Sequence, residues 1–229
     1  MIPLRDTIPS MRKPLMIKYI IAANAIVFLL RFVIPDNQLS GLVYYFGFIP
    51  REFNNLLRNQ PISIIGYYPL ITGMFLHGGL FHLLSNMWAL WIFGDNVEDL
   101  MGHSRFLAFY LLCGVIANLS HYLFNANSPV PAIGASGAIA GVMGAYLVMF
   151  PYSRIVTLIP LLFIPFFVNI PAVVYLLIWF VIQLYSGAVY ALVDGRMAGG
   201  IAWWAHVGGF AGGMLLYKTF IKQRGYRYT

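Results

Sequence analysis

The chain has 229 residues, of which 60% are hydrophobic and only 9% charged, with a mean hydropathy of +0.77. A soluble domain carries about 25% charged residues, so this composition excludes a water-soluble globule and implies a polytopic protein of the lipid bilayer. The net charge of +7 is not spread as a nucleic-acid patch: Arg5, Arg12, Lys13 and Lys18 precede or open the first apolar run, and Lys218, Lys222, Arg224 and Arg227 end the chain.

Basic residues at span ends mark the cytoplasmic side. Both termini are therefore expected in the cytoplasm, which requires an even number of spans. The N-terminal run is basic and then apolar, but its apolar part is long for a signal peptide and lacks a small-residue cleavage site, so it reads as a retained span. This first span covers about residues 15–33, with Lys18 and Arg31 near opposite ends. A long extracytoplasmic loop follows, punctuated by Pro50, Pro61 and Pro69 and carrying the cluster Tyr44-Tyr45-Phe46-Gly47-Phe48. Such aromatic rings favour the membrane interface, so the loop is expected to be partly embedded. Span two covers 80–95 and ends in an acidic turn, Asp95, Glu98 and Asp99, on the cytoplasmic side.

Span three covers 104–124 and span four 134–150. The stretch 155–170 is apolar enough to span, yet it holds Pro160 and Pro165 and is followed by Pro171. Proline breaks a continuous helix, and counting the stretch would make seven spans, so it is expected as an interfacial or partly re-entrant loop. Spans five and six cover 172–190 and 200–220. The expectation is an all-α bundle of six transmembrane helices forming a single domain over 1–229, since no polar linker divides it. The single cysteine, Cys113, lies in an apolar run and leaves no disulfide framework.

With this parity, spans two, four and six all enter from the extracytoplasmic face. Span two carries His82 and Asn86, spaced i, i+4 on one helix face; span four carries Ser136 just past its opening glycine; span six carries His206. Four polar groups thus share one outer layer. Each has a bland reading. A buried Ser packs or bonds a backbone carbonyl, an intramembrane His serves as a structural partner, and Asn86 bridges helices. Gly208, Gly209, Gly212 and Gly213 alone mean tight helix packing. The sharper reading is chemical. A serine needs a base, which His206 would supply. No Asp or Glu lies at this depth, so a dyad rather than a triad is the available variant. Asn86, His82 and backbone amides near Ser136 are candidate oxyanion donors.

The segments His82-x-x-x-Asn86, Gly134-Ala-Ser136-Gly and Ala205-His206-Val-Gly-Gly, in that order and on those spans, resemble the rhomboid intramembrane serine proteases over nearly the whole chain. The resemblance implies Ser136 as nucleophile and His206 as general base, with Asn86 and His82 lining the oxyanion hole. It implies transmembrane segments of other proteins as substrates, cut near the outer face, with span five and the loop before span six as gate. It implies no cofactor. The placement of the basic residues leaves no nucleic-acid partner expected, and the short tails and absent targeting segment lead to the expectation of a multi-pass protein of a bacterial inner membrane. Two departures stand out. Tyr68-Pro69 occupies the place of a Trp-Arg pair in the first loop, and Ala140 stands where some members place a Tyr stacked on the catalytic histidine. His206 must then be held by other groups, such as aromatic rings of neighbouring spans. His77 fits a loop histidine near the site. The competing classes are a non-catalytic rhomboid-like protein that binds membrane segments and a small-solute channel whose pathway the polar layer would line.

Overall fold

The computed structural model describes residues 1–161, 164–192 and 202–222. The elements run β1 (Ile2–Asp6), α1 (Leu15–Leu30), α2 (Asp36–Phe46), α3 (Pro50–Asn59), α4 (Pro69–Thr72), α5 (Leu80–Met101), α6 (His103–Asn125), α7 (Ser136–Met149), β2 (Arg154–Leu161), β3 (Ile164–Pro171), α8 (Ala172–Leu192) and α9 (Trp203–Phe220). Each of the six apolar stretches expected from sequence holds one of the six longest helices. Two of them, His103–Asn125 and Ala172–Val189, are long and apolar enough by themselves to cross a bilayer. A third candidate joins Ile64–Phe75 to Leu80–Met101 through an 87° bend. Leu15–Leu30 and Ser136–Met149 are apolar but shorter; at 1.5 Å rise per residue the latter reaches only about 21 Å against a hydrocarbon core of about 30 Å.

Two expectations are corrected. The chain is not all-α: β1, β2 and β3 form an antiparallel sheet in that order, and the stretch 155–170, expected as an interfacial or partly re-entrant loop, has the form of a β-hairpin. Its prolines exclude a helix, whereas Ile155, Val156, Thr157, Ile159 and Val168 favour a pleated strand. Arg154 pairs with Pro171 at one end of the ladder, and Pro160 with Pro165 next to the last pair at the other, where missing donors cost least. The N-terminal residues supply the third strand, with Ile2 opposite Leu158, Asp6 opposite Ile155 and an irregularity between Pro3 and Arg5.

The second correction concerns the acidic turn. Asp95, Glu98 and Asp99 lie within the last turns of α5, which runs on to Met101 and stops at Gly102, whose φ of +75° suits glycine. Helix α1 has no capping side chain of its own. Glu98, only 1% exposed, supplies the cap: Oε1 accepts from the amides of Leu15 and Met16 at 2.8 Å each and Oε2 from that of Ile17 at 3.0 Å. A carboxylate on three orphan amides at a positive helix end is a favoured arrangement. Asp99 Oδ2 accepts from the Met11 amide at 2.8 Å. The acids thus hold the N-terminal segment.

Helix α9 packs between α6 and α7 through two glycine faces. A Cβ on Gly209 or Gly213 would collide with the carbonyls of Gly137 and Gly141 on α7. One on Gly208 or Gly212 would meet Ser120 and Ile116 on α6. The first loop packs Phe48, Phe53 and Leu70 into a small core with Ala132 of the segment leading into α7, while Tyr44, Tyr45 and Phe46 remain exposed. Tyr68 spends its hydroxyl within this loop, donating to the Tyr45 carbonyl at 2.6 Å.

Glu98→Ala is expected to lower stability by about 2 kcal/mol, read as a reduced midpoint of thermal unfolding in detergent; an unchanged midpoint would show that α1 is held without its cap. A second outcome concerns pH. Asp6 Oδ2 accepts from the Tyr146 hydroxyl at 2.6 Å and from Asn96 Nδ2 at 2.7 Å. Burial, reinforced by the nearby Asp95 carboxylate and opposed by the Tyr146 hydrogen bond, raises the Asp6 pKa from 3.8 to about 6. A pKa raised by docking means that attachment of β1 is strongest below 3.8 and weakens as pH rises through about 6. A bimane fluorophore on Ile2→Cys, quenched by nearby Trp88, should brighten over that interval. Asp6→Asn should remove the pH dependence.

Candidate active site

Ser136 is the first residue of α7, where helix amides lack intrahelical partners and the helix dipole is positive. The strand of chain leading to it is pinned by the first loop. Phe48 and Ala132 exchange backbone hydrogen bonds at 3.2 and 2.7 Å, and the Gly134 amide donates to the Gly73 carbonyl at 2.9 Å. The Ala135 amide donates to His77 Nε2 at 3.5 Å, so His77 braces the approach to Ser136 and stacks edge-on against His82. Gly134 has φ +118°, a conformation that L side chains rarely adopt, and a Cβ there would come within 2.7 Å of His82 Cε1 and Nε2. The glycine is what allows α5 to bring His82 and Asn86 against the start of α7.

Helix α9 delivers His206. Its Nε2 lies 2.7 Å from Ser136 Oγ, and its Nδ1 lies 2.7 Å from Gln183 Oε1 on α8. Gln183 Nε2 donates to the Trp179 carbonyl at 3.4 Å, which orients the carboxamide with its oxygen toward the imidazole. Nδ1 then carries the proton, and Nε2 is left to accept the Ser136 hydroxyl proton. Trp179 and Trp203 place their rings 5.9 and 6.3 Å from the His206 ring. The histidine is therefore held by a carboxamide as well as by aromatic rings. The one signal of Gln183 in the sequence is a lone carboxamide in an apolar span.

Ser136, His206, His82 and Asn86 all line one cavity of about 510 Å³, together with Phe93, Met143, Tyr175 and Trp179. Asn86 is 6% exposed, and its Nδ2 is a buried donor without a hydrogen-bond partner among the described residues. Pro3 of β1 also lines the cavity, and its carbonyl accepts from Trp88 Nε1 at 2.6 Å. The loop before α9, part of the expected gate, falls at 193–201, outside the described residues, as do Arg224 and Arg227.

Fold and site together define a helical membrane protein in which separate helices converge a serine, an imidazole and a buried carboxamide donor on one cavity. Residues 66–223 match the rhomboid family, described as a Rhomboid domain. The chain belongs to the rhomboid family. It is 33% identical over 150 residues to the mitochondrial presenilin-associated rhomboid-like protein of Mus musculus, covering 65% of this chain and 35% of the mouse protein. It is 41% identical over 90 residues to rhomboid protease GluP of Bacillus subtilis, covering 39% of this chain and 17% of that protein. It is 33% identical over 120 residues to the putative rhomboid protease YdcA of the same organism, covering 48% of this chain and 58% of YdcA. The chain thus spans about a third of the length of the mitochondrial relatives it matches.

Proposed function

We propose that the chain is an intramembrane serine endopeptidase that cleaves transmembrane segments of other membrane proteins near the extracytoplasmic face. The observation that carries this reading is the 2.7 Å contact between Ser136 Oγ and His206 Nε2 at the start of α7. As Oγ attacks the scissile carbonyl carbon, Nε2 takes its proton. The oxyanion that develops faces the Asn86 Nδ2 donor, the Ser136 amide and His82. Collapse of the tetrahedral intermediate expels the amine, which takes the proton back from the imidazolium. Water, activated by the same nitrogen, then releases the acyl group. The scheme calls on no cofactor, metal or nucleic acid.

In this reading α1, α5, α6, α7, α8 and α9 all cross the bilayer as one domain with both chain termini in the cytoplasm. A bacterial inner membrane is the proposed compartment, and the bilayer itself is a partner. The alternative is a non-catalytic rhomboid-like protein that binds transmembrane segments; the mitochondrial relatives are named rhomboid-like proteins and not proteases. Retention of both Ser136 and His206 at bonding distance favours the enzyme.

Ser136→Ala and His206→Ala should each abolish cleavage of a model transmembrane substrate in reconstituted vesicles, and Ser136→Ala should also abolish labelling by a fluorophosphonate. Retained cleavage in both variants would overturn the mechanism; substrate binding without product in the wild type would support the alternative. Asn86→Ala should lower the cleavage rate by about 10²-fold, and an unchanged rate would remove it from the oxyanion hole.

A further inference from the structure

We infer that Gln183 is a positioning residue that fixes the tautomer and orientation of His206, so that α8 supplies the third member of the Ser136–His206 unit. The inference rests on Ser136 acting as the nucleophile. The buried face of α8 comprises Ala172, Leu176, Gln183 and Gly187, spaced as one side of a helix. Gln183 is the polar residue on that face, and it is only 5% exposed. A leucine would fill such a slot without the cost of desolvating an amide. The carboxamide is retained beside a partner that matches it: Oε1 sits 2.7 Å from His206 Nδ1. Its bond to the Trp179 carbonyl, at 3.4 Å, is long and holds the amide's rotation rather than justifying its burial.

The consequence is specific to the chemistry. A histidine free to hold its proton on Nε2 would point a donor at Ser136 and could not accept from it. With Oε1 accepting at Nδ1, the neutral ring is confined to the tautomer that accepts at Nε2. When the ring takes up the serine proton, both nitrogens become donors, and Nδ1–H already has its acceptor. The titratable groups that bear on His206 are His82 on α5 and His121 on α6; no carboxylate is hydrogen-bonded to it among the described residues. A neutral amide thus occupies the place that an acid holds in a triad. Because Gln183 and Trp179 both stand on α8, and Tyr175 and Trp179 line the cavity, displacement of α8 breaks the Nδ1 contact. Access to the cavity and alignment of the base are then coupled through one helix.

The test is the rate of fluorophosphonate labelling of full-length protein in detergent, across pH 5 to 9, with circular dichroism and thermal unfolding recorded for every variant. Gln183→Leu should label on the order of 10- to 100-fold more slowly than wild type while unfolding with a similar midpoint. Gln183→Glu keeps an acceptor at Nδ1 and should recover most of that rate at high pH. Its negative charge favours the imidazolium, so the acidic limb of its rate profile should move to higher pH. Wild-type labelling rates in Gln183→Leu, or equal losses in both variants with no movement of the profile, would overturn the inference and leave Gln183 as a packing bridge. Labelling of Ser136→Ala at the wild-type rate would instead overturn the underlying assignment of Ser136.

Discussion

Close backbone approach between α7 and α9 is the constraint on which the site depends. Without side chains at Gly137, Gly141, Gly209 and Gly213 the two helices meet carbonyl against Cα, a separation that membrane helices reach only through small residues. Ser136 and His206 sit one turn or less from the first of these contacts, so the 2.7 Å separation of Oγ and Nε2 follows from helix geometry rather than from long, adaptable side chains. The same logic extends outward. Gly208 and Gly212 seat α9 on α6, and Gly134 admits His82 and Asn86 from α5. Phe48, Gly73 and His77 of the first loop fix the chain entering α7.

Much of this was legible in the sequence because helix periodicity is local information. His82 and Asn86 are four apart, and the glycines of span six recur at the interval that places them on two adjoining faces. Those spacings were enough to bring four polar residues to one level, and the structure lines one cavity with all four. What could not be read depends on partners far apart in the chain. The pairing of Ile2 with Leu158 joins segments more than 150 residues apart, and nothing in the basic N-terminal tail announces a strand. In sequence Glu98 is one member of an acidic turn; only the packing of α1 beside α5 makes it a buried cap. Gln183 and His206 are 23 residues apart, and a single carboxamide in an apolar run has no periodicity to reveal its partner.

The treatment of polar groups inside the bundle separates structural from chemical roles. An unpaired polar group away from water is costly, and most here are paired. Asn118 Nδ2 donates to the Leu70 carbonyl at 2.9 Å, Asn24 Nδ2 to the Ile20 carbonyl at 2.8 Å, and the Tyr146 hydroxyl to Asp6 at 2.6 Å. Each tie either closes a helix or fastens a loop. Asn24 Oδ1, His77 Nδ1, Asp99 Oδ1, Tyr110 Oη and Asn86 Nδ2 are buried without a hydrogen-bond partner among the described residues, and of these residues Asn86 is the one that lines the cavity, with its donor unpaired. Under the proposed chemistry that donor is held in reserve for charge that exists only during reaction. A group satisfied in the resting state would have to break a bond first.

The sheet bears on the same cavity from another direction. Strand β1 packs against α5 and pairs with β2, which leads through the hairpin into α8, so the sheet bridges two helices that line the cavity. Pro3 contributes to the lining itself, and it suits that place: with no amide hydrogen it offers the cavity no competing backbone donor. Its carbonyl is taken by Trp88. The strand therefore brings to the cavity wall a residue whose one backbone polar group is already satisfied. Attachment of β1 involves a protonatable carboxyl at Asp6, and under the proposed role of Gln183 alignment of His206 depends on α8. The walls of the cavity thus carry two adjustable contacts, whereas the glycine seam beneath Ser136 has no side chain that could adjust.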